Sequence, residues 1–163
     1  MLKELGQYKE KLSSIFHTDD KICRLLLGEN YEDEDYDIDK ELEKYIVPHL
    51  YIDKTITDTK SYIMFETYST RTNPSIKGMK IVVQVICHKD ISKYKEKPKG
   101  YYGLRYDVLS QYVEELLCPQ DKELTKKRIK QFGIGSLELQ PVDLFLTDKY
   151  IGRTLTFNVP DFR

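Results

Sequence analysis

Residues 62 to 87 read Y-I-M-F-E-T-Y-S-T-R-T-N-P-S-I-K-G-M-K-I-V-V-Q-V-I-C, and this stretch decides the fold. Tyr62 to Tyr68 and Met79 to Cys87 are rich in β-branched and aromatic residues with a period of two, as in strands whose successive side chains point to opposite faces. Thr72 to Gly78 between them is turn chemistry built on Asn73, Pro74, Ser75 and Gly78, so the two strands are expected to pair as a long antiparallel hairpin. The second strand is apolar almost without a break, which predicts a central place with both faces covered.

Upstream, Leu2, Leu5, Leu12, Ile15 and Phe16 recur at helical spacing and predict an amphipathic helix over 3–15. A second short helix follows, with Thr18 or Asp19 as its cap, Ile22, Leu25 and Leu26 as its apolar stripe and Gly28 as its stop. Pro48 ends any helix begun by Leu42, Tyr45 and Ile46. Downstream, Lys89 to Gly100 has no periodicity and reads as an exposed loop, while Leu104, Val108, Leu109, Tyr112, Val113, Leu116 and Leu117 make 104–117 the best-defined helix. Pro119 stops it, Lys122 to Lys130 reads as a basic connector with at most a short helical turn, and two more strands are expected at Ile134 to Phe145 and Tyr150 to Val159.

The order α, α, β, β, α, β, β predicts a single α+β domain, an antiparallel sheet of about four strands in two hairpins with helices packed on one face. Its parts are N-terminal helices in 1–28, an acidic insertion at 29–44, and the sheet with its main helix over 60–163. A chain of 163 residues suits one such domain. Thirteen Tyr against no Trp point to a strand-rich chain with contact surface to spare. The net charge of −1 hides local extremes. Acid gathers at 29–43, and base gathers at 89–99 and again at Lys122, Lys126, Lys127, Arg128 and Lys130; such separation suits a directional partner. Cys23, Cys87 and Cys118 are odd in number and each lies in an apolar stretch, as small buried hydrophobes in a reducing compartment do. The chain opens without a basic and apolar leader and has no apolar run long enough to cross a membrane, so no membrane partner is expected.

Chemistry is sought first in the acidic run. Asp33, Asp35, Asp37 and Asp39 stand at spacing two like the first half of a calcium loop, but Ile38 occupies the position that needs Gly and Lys44 the position that needs a bidentate Glu. A non-standard divalent site stays open beside a solvated loop or an electrostatic contact surface. Paired acid–base carboxylates are not expected in so hydrophilic a stretch. His17, His49 and His88 are isolated, and Cys87 and His88 are neighbours in a strand, so their side chains face opposite ways and cannot form a dyad. Gly133-Ile134-Gly135-Ser136 lacks the rest of a phosphate loop and leads into a strand. The reading is therefore of a protein that is not an enzyme, with no catalytic residue, no metal site and no cofactor. Lys93, Lys95, Lys97 and Lys99, interleaved with Tyr94, Tyr101 and Tyr102, leave a second reading open: a nucleic-acid-binding or regulatory module using 89–105.

The plan as a whole resembles the tail-terminator (tail-completion) and head–tail connector proteins of long-tailed bacteriophages. The resemblance rests on the N-terminal helix, D-D-K-I-C-R-L-L-L-G, the long hairpin, R-Y-D-V-L-S-Q-Y-V-E-E-L-L after a Gly-containing loop, and the final Y-I-G-R-T-L-T-F-N-V-P-D-F. It spans the chain as one tail-terminator-like domain. It implies a structural virion protein of the neck or tail, made in the host cytoplasm, whose copies close into a hexameric ring that caps the tail tube, ends tail polymerisation and docks the tail to the head connector. The implied partners are further copies of the chain, the tail tube protein, the head connector and neck proteins, and DNA that passes through the channel without specific binding. The partner-facing residues would be Arg71 and Lys77 in the hairpin loop, Lys93, Lys95, Lys97, Lys99, Tyr101 and Tyr102 in the basic segment, and Phe162 and Arg163 at the C-terminus. The acidic surface of Asp33, Asp35, Asp37 and Asp39 would face either the channel or a neighbour's lysines.

Overall fold

The computed structural model describes residues 2–33, 35–53, 55–72, 77–132 and 137–159, with the backbone alone at 71, 72 and 77. The expected hairpin is its centre. Strand β2 (Ser61–Thr72) pairs antiparallel with β3 (Lys77–His88) in a continuous register from Ser61↔Cys87 to Tyr68↔Lys80, beyond which a bulge shifts the pairing near Ser69. The turn residues 73–76 lie outside the described residues. β3 also pairs antiparallel with β6 (Tyr150–Val159), which gives it the expected central place but not the expected cover on both faces, since its Lys80 and Gln84 are partly exposed on the side away from the helices.

The sheet is larger than the four antiparallel strands expected. Among the described residues it has six strands in the order β1-β2-β3-β6-β4, with β5 also on β6. β1 (Ile46–Val47) lies parallel to β2 and follows the helix α3 (Ile38–Tyr45). The strand expected at Ile134 to Phe145 is two short pieces, β4 (Glu138–Leu139) and β5 (Asp143–Leu146), which share one edge of β6. Gln140 N–H still donates to Thr156 O at 2.8 Å, so 138–146 is one interrupted edge strand. Pro141, without an N–H, fits the gap between the two pieces.

Helices α1 (Leu2–Thr18), α2 (Asp20–Leu27) and α4 (Arg105–Leu117) share one face of the sheet. There Phe16 of α1 meets Phe65 of β2 edge-on at 5.4 Å, and Leu12, Ile63, Val83, Leu155 and Phe157 are fully buried. Each such side chain contributes about 1.5–3 kcal/mol of transfer free energy. The opposite face alternates as a half-wet sheet should, with Glu66, Lys80, Gln84, Thr154 and Thr156 partly exposed. The end of that face is covered, where Tyr150 Oη donates to Asp58 O at 2.9 Å and Leu50, Ile52 and Ile56 pack against the core near Tyr62 and Tyr150.

The second difference is α5 (Lys122–Phe132), an 11-residue helix where the sequence predicts a connector. Asp121 starts it by accepting from the N–H groups of Glu123 and Leu124 at 3.0 and 2.9 Å. It has no apolar stripe because Phe132 is the one residue it fully buries, stacked on Tyr8 of α1. No described helix is long and apolar enough to cross a membrane.

Candidate interaction surfaces

The acidic run folds into short, locally capped pieces. A 3-10 turn covers Gly28–Glu32, Asp33 Oδ1 accepts from Asp35 N–H at 3.0 Å, and Asp37 Oδ1 caps α3 by accepting from Lys40 N–H at 3.2 Å. Asp39 and Glu41 then sit in the first turn of α3, where the helix dipole favours them. Two cations are engaged nearby. Arg24 donates to Asp20 at 2.9 Å and Glu32 at 2.6 Å, and Lys44 donates to Glu41 at 2.6 Å. Lys44 holds the Glu41 carboxyl below its usual range, and hydrogen bonds from Tyr31 and Arg24 do the same for Asp20. Asp35, Asp39 and Glu43 stay exposed with no cation partner among the described residues. No group of three or more His, Cys, Asp or Glu side chains suited to a metal ion occurs among the described residues.

The basic segment opens with a 3-10 turn at Lys89–Ile91 and then runs irregularly over the surface, with Lys93, Lys95, Lys97 and Lys99 exposed. It is not remote from the acid. Lys93 and Lys95 share a groove of about 880 Å³ with Glu29 and Glu32, and Arg24 and Arg105 stand in its walls. The tyrosines divide. Tyr94 lies 4.5 Å under the Arg105 guanidinium, and Tyr101 packs edge-on against Tyr112 at 4.8 Å while its hydroxyl donates to Glu115 and accepts from Lys21. Tyr102 alone of the three is well exposed, at 75%.

Where the loop enters α4, Gly103 adopts φ +96°, and a Cβ there would lie 2.6 Å from the Asp107 side chain. Asp107 accepts from Leu104 N–H at 2.9 Å and pairs with Arg153 of β6 at 3.1 Å, fixing the helix start to the sheet. Cys87 is fully buried and His88 lies on the other side of its strand, as the alternation requires. Burial pushes the thiols of Cys23, Cys87 and Cys118 up to about 11.

The edge of the sheet holds a surface to which the sequence reading gave no role. Leu144 and Leu146 of β5 are 56% and 60% exposed, and Val142 just before them is 41% exposed. They stand opposite Arg153 and Ile151, on the helix-bearing face but beyond the reach of any helix, and among the described residues no strand pairs with the outer side of β5. Leu144, Phe145 and Leu146 are consecutive, so a strand must turn some of them away from the core. That was the available signal. The outer edge of β2 is differently treated: Thr67 N–H donates to the neighbouring Glu66 carboxylate at 2.9 Å, and Lys9 pairs with Glu66. A charged side chain there guards the edge as natural sheets do. β5 carries Pro141 just before it and the exposed Asp143 at its start, but its Leu144 and Leu146 stand bare.

A family model described as YomW matches residues 19–159. The chain belongs to the YomW family. No curated protein and no solved structure matches it. The family name is that of a phage-derived gene of the Bacillus SPbeta type and suggests a phage protein. The YomW match begins at Asp19, the cap of α2, and ends at Val159, the last residue of β6, so it takes in the whole sheet and both charged regions and leaves out α1.

Of the residues expected to face a partner in this YomW-family chain, Lys93, Lys95, Lys97, Lys99 and Tyr102 are exposed on one segment, and Tyr101 is tied into the fold. Arg71 and Lys77 belong by their backbone to the turn end of the hairpin, while Phe162 and Arg163 lie outside the described residues. Asp33, Asp35, Asp37 and Asp39 are all exposed.

Proposed function

We propose that the chain is a structural virion protein that works by assembly, its copies closing into a ring that caps the tail tube, ends tail polymerisation and docks the tail to the head connector. The observation that supports this reading is the apolar β5 edge, with its two exposed leucines. Leu144 and Leu146, each more than half exposed, would bring about 1–2 kcal/mol of burial apiece to a contact, and the backbone edge, unpaired among the described residues, could add a strand from a neighbour. A ring needs two unlike surfaces that meet head to tail, and the guarded β2 margin and the apolar β5 margin are unlike. The phage-derived family name supports the setting. The reading needs no catalytic step, places the protein in the neck or tail of the virion, and leaves DNA as cargo passing through the channel.

The nucleic-acid reading of 89–105 draws less support. Stacking needs free aromatic faces. Tyr94 lies under Arg105 and Tyr101 is bonded to Lys21 and Glu115, so Tyr102 is left as the one ready ring of the three. Mass photometry of the purified chain, alone and with the tail tube protein of the same phage, tests the ring. A hexamer-sized species, or assembly only when tube is present, is the expected result; a strict monomer in both conditions overturns it.

A further inference from the structure

Helix α5 is out of keeping with the rest of the fold. Helices of about 12 residues or fewer are marginal in water and persist by packing an apolar face. α5 has 11 residues and buries one of them, Phe132. Its inner side is held by a polar anchor, Arg128, whose Nε donates to Leu116 O and whose Nη1 donates to Gln131, both at 2.7 Å. Cavities of about 260 and 230 Å³ flank that guanidinium beneath the helix. The outer side is basic and bare. Lys122, Lys127 and Lys130 are exposed and have no carboxylate partner among the described residues, and the one ion pair on the helix is Lys126 with Glu123 at 2.8 Å.

The chain carries the matching surface elsewhere. At the acidic run, Glu29 and Glu32 face their own chain's Lys93 and Lys95 across the groove, and Glu32 and Glu41 are already paired. Asp33, Asp35, Asp37, Asp39 and Glu43 are exposed without an ion pair among the described residues; Asp33 and Asp37 already accept from backbone N–H groups of the run, which leaves Asp35, Asp39 and Glu43 the most available. The two unneutralised surfaces sit on different elements. α5 follows α4 and reaches back to α1 through Phe132 and Tyr8, whereas α3 leads into β1 at the margin of the sheet. Surfaces of opposite sign at different places on one molecule are complementary between copies, and a head-to-tail arrangement repeats that one contact around a ring.

We infer that the basic face of α5 docks onto the acidic run of a second copy, with Lys122, Lys127 and Lys130 against the neighbour's Asp35, Asp39 and Glu43. The inference rests on the ring reading above and names one of its contacts. Docking explains a helix with a bare outer face: the neighbour completes its surroundings.

Two triple variants test it, K122E/K127E/K130E and D35K/D39K/E43K, each changing exposed side chains only. Each alone places like charges across every contact and is expected to weaken assembly ~tenfold or more at low salt, with unchanged circular dichroism. Mixed in equal amounts, the two variants present opposite charges at every junction, and mixed rings alternating the two should form again. A wild type that assembles while both variants assemble equally well overturns the α5 contact and leaves the ring standing. A wild type that remains monomeric with tube protein present overturns both. Recovery on mixing, but not in either variant alone, supports the contact against a general effect of charge.

Discussion

Gly103 and Asp107 hold the start of α4 through atoms that leave no room for change. The +96° φ of Gly103 lies where other residues are strained, and its missing Cβ makes space for Asp107, which caps Leu104 and reaches Arg153. Gly103→Ala is expected to cost about 1–3 kcal/mol, and Asp107→Ala about 2 kcal/mol, both read by urea denaturation. The buried thiols and phenols give a pH prediction. Burial raises Cys23, Cys87 and Cys118 from 9.0 to about 11 and Tyr112 from 10.0 to about 12. A folded state that holds protons more tightly than the unfolded one keeps its full stability below the unfolded value and loses it as pH rises through the folded value. Melting temperature should therefore be flat from neutral pH to about pH 9 and fall steeply above it, with tyrosinate absorbance appearing together with unfolding. A melting temperature unchanged at pH 11 would contradict this. At this scale the sequence was legible where chemistry is local: Asp19 and Gly28 bound α2 as expected, and the alternation of Cys87 and His88 survived.

Among the elements, β2, β3, α4 and β6 were readable because each repeats its pattern over 10 to 13 residues. α5 was not, because periodicity reports a buried stripe and this helix has none; its cap at Asp121 and its run of Lys, Glu, Leu and Gln were the surviving signals. β1 was lost for a different reason: two residues carry no period, and a parallel partner is set by where α3 returns the chain to the sheet. β5 is the element on which assembly is expected to depend. Leu144→Lys with Leu146→Lys replaces exposed side chains, so the melting temperature should stay within about 2 °C of wild type. Assembly should be lost. Static light scattering and thermal denaturation of the same sample separate those effects, and a double variant that assembles normally would remove β5 from the interface.

For the molecule as a whole, the α+β plan with helices on one face followed from the sequence, and membership of the YomW family agrees with a phage setting. The charge layout was only partly legible. The linear order separates acid at 29–43 from base at 89–99, but folding sets Glu29 and Glu32 in the same groove as Lys93 and Lys95. Exposed charges without an ion pair among the described residues include Asp35, Asp39 and Glu43 at one place and Lys122, Lys127 and Lys130 of α5 at another. Assembly that uses both should weaken with salt, since exposed pairs are screened over about 10 Å at 0.1 M ionic strength, while the apolar β5 contribution persists. Mass photometry of the full chain with its tail tube protein, at low and at moderate salt, is the most direct measurement of the central claim. The account predicts a hexamer-sized species that forms on the tube and loosens as salt rises; a chain that stays monomeric at both salt concentrations, with tube present, would contradict it.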